Sequence, residues 1–176
     1  MTKSLLLGIS LTSVFVVSMI ISQSVMAGAP PGYLDITNAK LVESQKNVKM
    51  HIKVAGNTDD GIDPDTGEGF FGYAALTEDF NDVLAVTYHE PIVDSDAQPG
   101  WHSHVVDLTT ETGCVSGLAV ASASLGEPGH TIVKRNNILV NQVSPDDVGS
   151  FSGAFASFGL TVEGGEVCVN PVDFFP

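Results

Sequence analysis

His102 and His104 stand one residue apart in "PGWHSHVVDL", residues 99–108. In an extended segment, side chains at i and i+2 point to one face, with Cα atoms about 7 Å apart. Neutral imidazole is a good ligand for Zn²⁺ and Cu²⁺, so such a pair could share one ion. The same spacing also suits two ordinary polar residues, with His102 packed beside Trp101. Three neighbours favour the metal. The histidine face continues with Val106 and Leu108, which points to burial. His89 ends the preceding stretch "DVLAVTYH" and approaches His102 if the two segments pair through "EPIVDSDAQPG". His130, in "EPGHTIV", enters another extended segment and is a fourth candidate ligand. Glu90 and Asp107 could complete the site or orient the ligands. His51 shares the polar face of "NVKMHIKV" with Lys49 and Lys53, and is set aside.

A second cation site is conceivable in "AGNTDDGIDPDTGEG", residues 55–69. It carries Asp59, Asp60, Asp63, Asp65 and Glu68. Carboxylates in a glycine-containing loop suit an oxygen-seeking ion such as Ca²⁺. The order differs from the helix–loop–helix calcium motif: no glycine stands at loop position six and no glutamate at position twelve. Asp, Gly and Pro also simply make turns.

The elements that must position these residues are extended. In "NVKMHIKV", Val48, Met50, Ile52 and Val54 form one face and the polar residues the other, the period of a half-buried strand. "YLDITNAKLV", "GFFGYAAL", "DVLAVTYH", "WHSHVVDL", "CVSGLAVASA", "HTIVKR" and "NILVNQV" read the same way. Each is bounded by Gly, Pro, Asn or Asp. "GLTVEGGEVCVNPV" reads as a hairpin turning at "EGGE". In "SPDDVGSFSGAFASF", Ser144 caps a short helical turn with Pro145 at its first position. Glycines then hand the chain to a strand. Many short strands predict an all-β sandwich or barrel, with the antiparallel β-sandwich of Greek-key or immunoglobulin-like kind preferred, in one domain over residues 28–176.

Residues 1–27 read as a secretory signal peptide. Lys3 precedes an apolar run of 17 residues, "LLLGISLTSVFVVSMII", and "SQSVMA" ends in a small residue, with Val25 and Ala27 at the positions a signal peptidase reads. The rival is an uncleaved anchor, for which that run is at the short limit. Only with such an anchor is membrane association expected. The expected location is secreted or extracytoplasmic, with cell-surface association open.

Only two cysteines occur, Cys114 and Cys168. In an oxidising compartment a lone pair is expected to bond, stabilising the fold by about 4 kcal/mol. The alternative for Cys114 is a thiolate metal ligand. The net charge is −14, and no Lys or Arg lies between Ala55 and Val133, where 14 of the 21 acids fall. Nucleic acid is excluded as a partner, since its binding needs basic residues to displace counterions. Cations are favoured, and so is plain solubility.

"GWHSH" followed by "TGC", with a second Cys near the end of the chain, resembles the copper/zinc superoxide dismutase-like β-sandwich family. That family has a G-[FL]-H-x-H strand, then a Gly-Cys loop whose cysteine bonds to one in the last strand. The resemblance implies that His102 and His104 match the first two copper ligands, that His130 matches a later one, and that Cys114 pairs with Cys168. The family's dinuclear site uses more histidines than this chain offers. No histidine follows His130, and no arginine near the C-terminus would guide superoxide. A surface this acidic repels that anion. Dismutase activity is therefore not expected.

Two functions remain. One is a secreted acidic β-sandwich that binds copper or zinc through the His-x-His strand, in a non-enzymatic or simple redox role. The other is an extracellular structural or interaction module of a cell envelope, matrix or adhesin, engaging other extracellular proteins without a transition metal. The C-terminal Phe174 and Phe175 either close its core or meet a neighbour. No serine-nucleophile elbow, phosphate loop or dinucleotide fingerprint argues for an enzyme.

Overall fold

The structure, a computed structural model, describes residues 29–65, 69–89, 100–124 and 126–176. The expected signal segment, Glu68 and Glu90 lie outside these residues. The described chain is all-β. Its strands are β1 (Ile36–Glu43), β2 (Val48–Val54), β3 (Phe71–Thr77), β4 (Asp82–His89), β5 (Gly100–Thr110), β6 (Leu118–Ala123), β7 (His130–Lys134), β8 (Asn137–Val143), β9 (Phe151–Glu163) and β10 (Glu166–Phe175). Short 3-10 turns cover Thr58–Gly61 and Pro145–Asp147. Ser144 caps the second, its side chain accepting from the Asp146 amide. At "EGGE", Gly164 and Gly165 take positive φ of 61° and 95°, which a tight hairpin turn demands.

Four strands form an open sheet in the order β1-β2-β8-β7, and six close into a barrel in the order β10-β6-β5-β4-β3-β9. The expected all-β class is present; of its two expected forms the six strands take the closed barrel rather than the preferred sandwich. The physical reason lies in small residues and register slips. Ala74 of β3 pairs with Ala85 of β4 on one side and Ala156 of β9 on the other, so the wall can curve tightly. Irregularities at Ala75/Thr77, Asp107/Leu108 and Pro171/Asp173 add local bend.

Strand alternation divides the interior in two. Phe71, Tyr73, Leu84, Val86 and Phe155 point out of the barrel and pack on Met50, Ile52, Ile138 and Val140 of the open sheet. Ala74, Leu76, Val83, Ala85, Val106, Ala156, Phe158 and Val169 form a second cluster on the opposite, lumen side of the strands. β3 is therefore buried at every position, which explains why "FGYAAL" shows no polar alternation.

Barrel closure is weakest between β6 and β10, where one register pair, Cys168 with Ala119, joins the strands. The Cys114–Cys168 disulfide crosses this seam, linking β10 to the turn that precedes β6. Both cysteines are thereby engaged, and Cys114 is not a thiolate ligand. Oxidised cysteines fit an extracytoplasmic compartment.

Candidate metal centre

β4 and β5 pair antiparallel, with His89 opposite Gly100, Thr87 opposite His102 and Ala85 opposite His104. All these side chains share the lumen side, while Trp101 turns to the other face and stacks on Tyr73 at 6.1 Å. The alternative of His102 packed beside Trp101 thus fails on strand period: neighbours in sequence face opposite ways. His89 is one diagonal step from His102, a separation long side chains bridge. Gly100 has φ +118°, open to glycine and rarely to other residues, and it carries no side chain against His89.

The three rings converge. Centroids are 4.6 Å apart for His89–His102, 4.7 Å for His102–His104 and 5.9 Å for His89–His104. One ligand nitrogen from each lies within 4.8 Å of the others, and all three residues are buried. His102 Nε2 is 3.1 Å from His89 Nε2. For metal–nitrogen bonds of about 2.0–2.1 Å, adjacent ligand nitrogens stand about 2.9 Å apart at a right angle and about 3.3 Å apart at the tetrahedral angle. The observed spacing falls between these. The third nitrogen, within 4.8 Å of the other two, can close on the same ion by a side-chain rotation.

His104 Nδ1 lies 3.3 Å from the Ser124 carbonyl oxygen. A carbonyl can only accept, so Nδ1 carries the proton and Nε2 holds the lone pair of the neutral ring. Orientation of a ligand histidine by a carbonyl through its other nitrogen is the usual arrangement around bound metals. The role of Ser124 has no mark in "ASASLG", because its backbone performs it.

The other candidates lie apart. His130 is exposed in β7 of the open sheet, opposite Asn141, and does not join the three histidines. Asp107 sits farther along β5, opposite Asp82, and is exposed. Asp59, Asp60, Asp63 and Asp65 are exposed, and among the described residues they form no converging group of ligands. Part of that loop is explained by turn chemistry. Asn57 caps the first 3-10 turn, and Asp63 Oδ1 accepts from the Asp65 amide at 2.8 Å.

Compared with family models, curated proteins and solved structures, the chain matches none.

Proposed function

We propose that this protein is an extracytoplasmic, acidic all-β protein that binds one copper or zinc ion through His89, His102 and His104. The observation that carries the reading is the convergence of three buried histidines, with ligand nitrogens within 4.8 Å, in a largely apolar barrel. Three imidazoles leave a tetrahedral ion one open position for water or another ligand. Copper(II) is the tighter-binding of the two ions at such a nitrogen site. The role is metal carriage, storage or simple redox chemistry.

The test is elemental analysis of the full chain, expressed into an oxidising compartment and purified beside a His102→Ala/His104→Ala variant. About one copper or zinc per chain, absent from the folded variant, is expected. Protein that takes up neither ion after equilibration with both overturns the reading. The second reading, an extracellular interaction module, draws on Phe174, which is 47% exposed while Phe175 packs against the main core. A monomer at every concentration, salt and calcium condition would count against it.

A further inference from the structure

The barrel is not filled. A cavity of about 390 Å³ occupies its lumen, within the range of about 300–1,000 Å³ typical of small-molecule sites. Its origin is a row of small residues running around the wall. His104 pairs with Ala85, Ala85 with Ala74, Ala74 with Ala156, and Ala156 with Phe174. Three consecutive methyl groups stand where larger side chains would meet across the barrel.

The hollow is long and chemically one-sided. Val83, Ala85, Thr87 and His89 of β4 all line it, a span of about 20 Å along the strand. Phe80 and Phe174 line it too and are half exposed, at 51% and 47%. Toward the other end of β4 stand Thr87, His89 and, across the strand pair, His104. No Lys, Arg, Asp or Glu lines the cavity among the described residues. With no metal on the histidines, an anionic head group would find no lysine or arginine there, and the net charge of −14 opposes its approach.

Thr87 supplies the second, independent observation. Its side chain is 4% exposed and lines the cavity, and its Oγ1 has no hydrogen-bond partner among the described residues. Leaving a buried hydroxyl unsatisfied is costly; the oxygen is shielded from the hollow, and a χ1 rotation of Thr87 toward it would let a ligand oxygen satisfy it.

We propose that the barrel lumen binds one elongated, neutral, apolar molecule bearing a single hydroxyl or carbonyl group, its chain along the alanine row and its oxygen at Thr87. The site does not depend on a metal.

The experiment uses the full-length protein, with and without a chelator, and the neutral fluorophore N-phenyl-1-naphthylamine. Saturable one-to-one binding is expected, with displacement by 1-decanol and, in the presence of the chelator, much weaker displacement by decanoate. Thr87→Val keeps the shape and removes the hydroxyl. It is expected to weaken 1-decanol by about 3- to 10-fold while probe affinity holds. Ala85→Leu, checked for folding by circular dichroism, fills the lumen and is expected to abolish probe binding. Absence of saturable probe binding by folded protein overturns the proposal. So does binding that folded Ala85→Leu leaves unchanged, equal displacement by decanoate in the presence of the chelator, or a Thr87→Val variant that binds 1-decanol as tightly as the parent. If Ala85→Leu fails to fold, Thr87→Val decides alone. Because the assay runs with chelator present, failure of the metal reading leaves its outcome unaffected.

Discussion

His102 Nε2 lies 3.1 Å from His89 Nε2, although thirteen residues separate the two in the chain. The antiparallel register places them diagonally on one face, and His104 follows two residues on. Removing any one of the three by substitution to alanine should lower copper or zinc affinity by more than the about 10- to 100-fold typical of losing an outer hydrogen-bond partner. Metal binding also requires ligand nitrogens free of protons, so affinity should fall as pH is lowered. Equilibrium dialysis against copper or zinc at a series of pH values checks both. Affinity unchanged in the His89→Ala protein would exclude His89 as a ligand.

The disulfide should matter more than its small size suggests, because it crosses the seam where β6 and β10 share one register pair. Closing a span of 54 residues, it restricts the unfolded chain by about 4 kcal/mol on loop-entropy grounds. The Cys114→Ala/Cys168→Ala protein should therefore unfold at a markedly lower urea concentration. Hydrogen exchange of β6 and β10 should rise before that of β3 and β4. Equal protection across all four strands would show that the seam holds without the bond.

Asp82 and Asp107 sit directly opposite each other in β4 and β5. The hydrogen bond to the Asp107 carboxyl raises the pKa of Asp82. Desolvation and the negative charges of Asp107 and Asp79 act in the same direction. A carboxyl whose folded pKa is raised opposes folding at neutral pH, and that penalty fades as pH falls through the raised value. Asp82→Asn should accordingly stabilise the protein at pH 7 by about 0.3 kcal/mol, the order of a cross-strand like-charge contact. The gain should shrink toward pH 3. Urea unfolding at the two pH values tests the sign, and a destabilised Asp82→Asn at pH 7 would contradict it.

Tyr73 is fully buried between the barrel and the open sheet and donates from its hydroxyl to the Tyr33 carbonyl oxygen. Burial, aided by the neighbouring Tyr33, pushes its phenol far above the ordinary tyrosine range. The unfolded chain ionises this group near pH 10 and the folded chain does not, so stability should fall as pH rises past about 10. Tyr73→Phe should remove that alkaline loss from this position and cost about 1 kcal/mol at pH 7 through the lost hydrogen bond. Thermal unfolding at pH 7 and pH 11 distinguishes the two effects.

Much of this architecture is local and legible without coordinates. Alternation fixed the faces of "NVKMHIKV" and "WHSHVVDL", because a strand's side-chain period is two whatever its partners. Ser144, Pro145 and the two acids that follow marked a short turn, and "EGGE" marked the last hairpin, since caps and turns depend on a few adjacent residues. The lone cysteine pair pointed to one disulfide. Tertiary structure decided the rest. Sheet closure depends on which strands become neighbours, and no single strand's pattern carries that. The β4–β5 register brought His89 into the cluster, and the pairing of β7 with β8 placed His130 in the other sheet. Thr87 and the Ser124 carbonyl became significant only when pairing brought them to the lumen. The hollow in the barrel exists because Ala74, Ala85 and Ala156, unremarkable on three separate strands, fall side by side in one row.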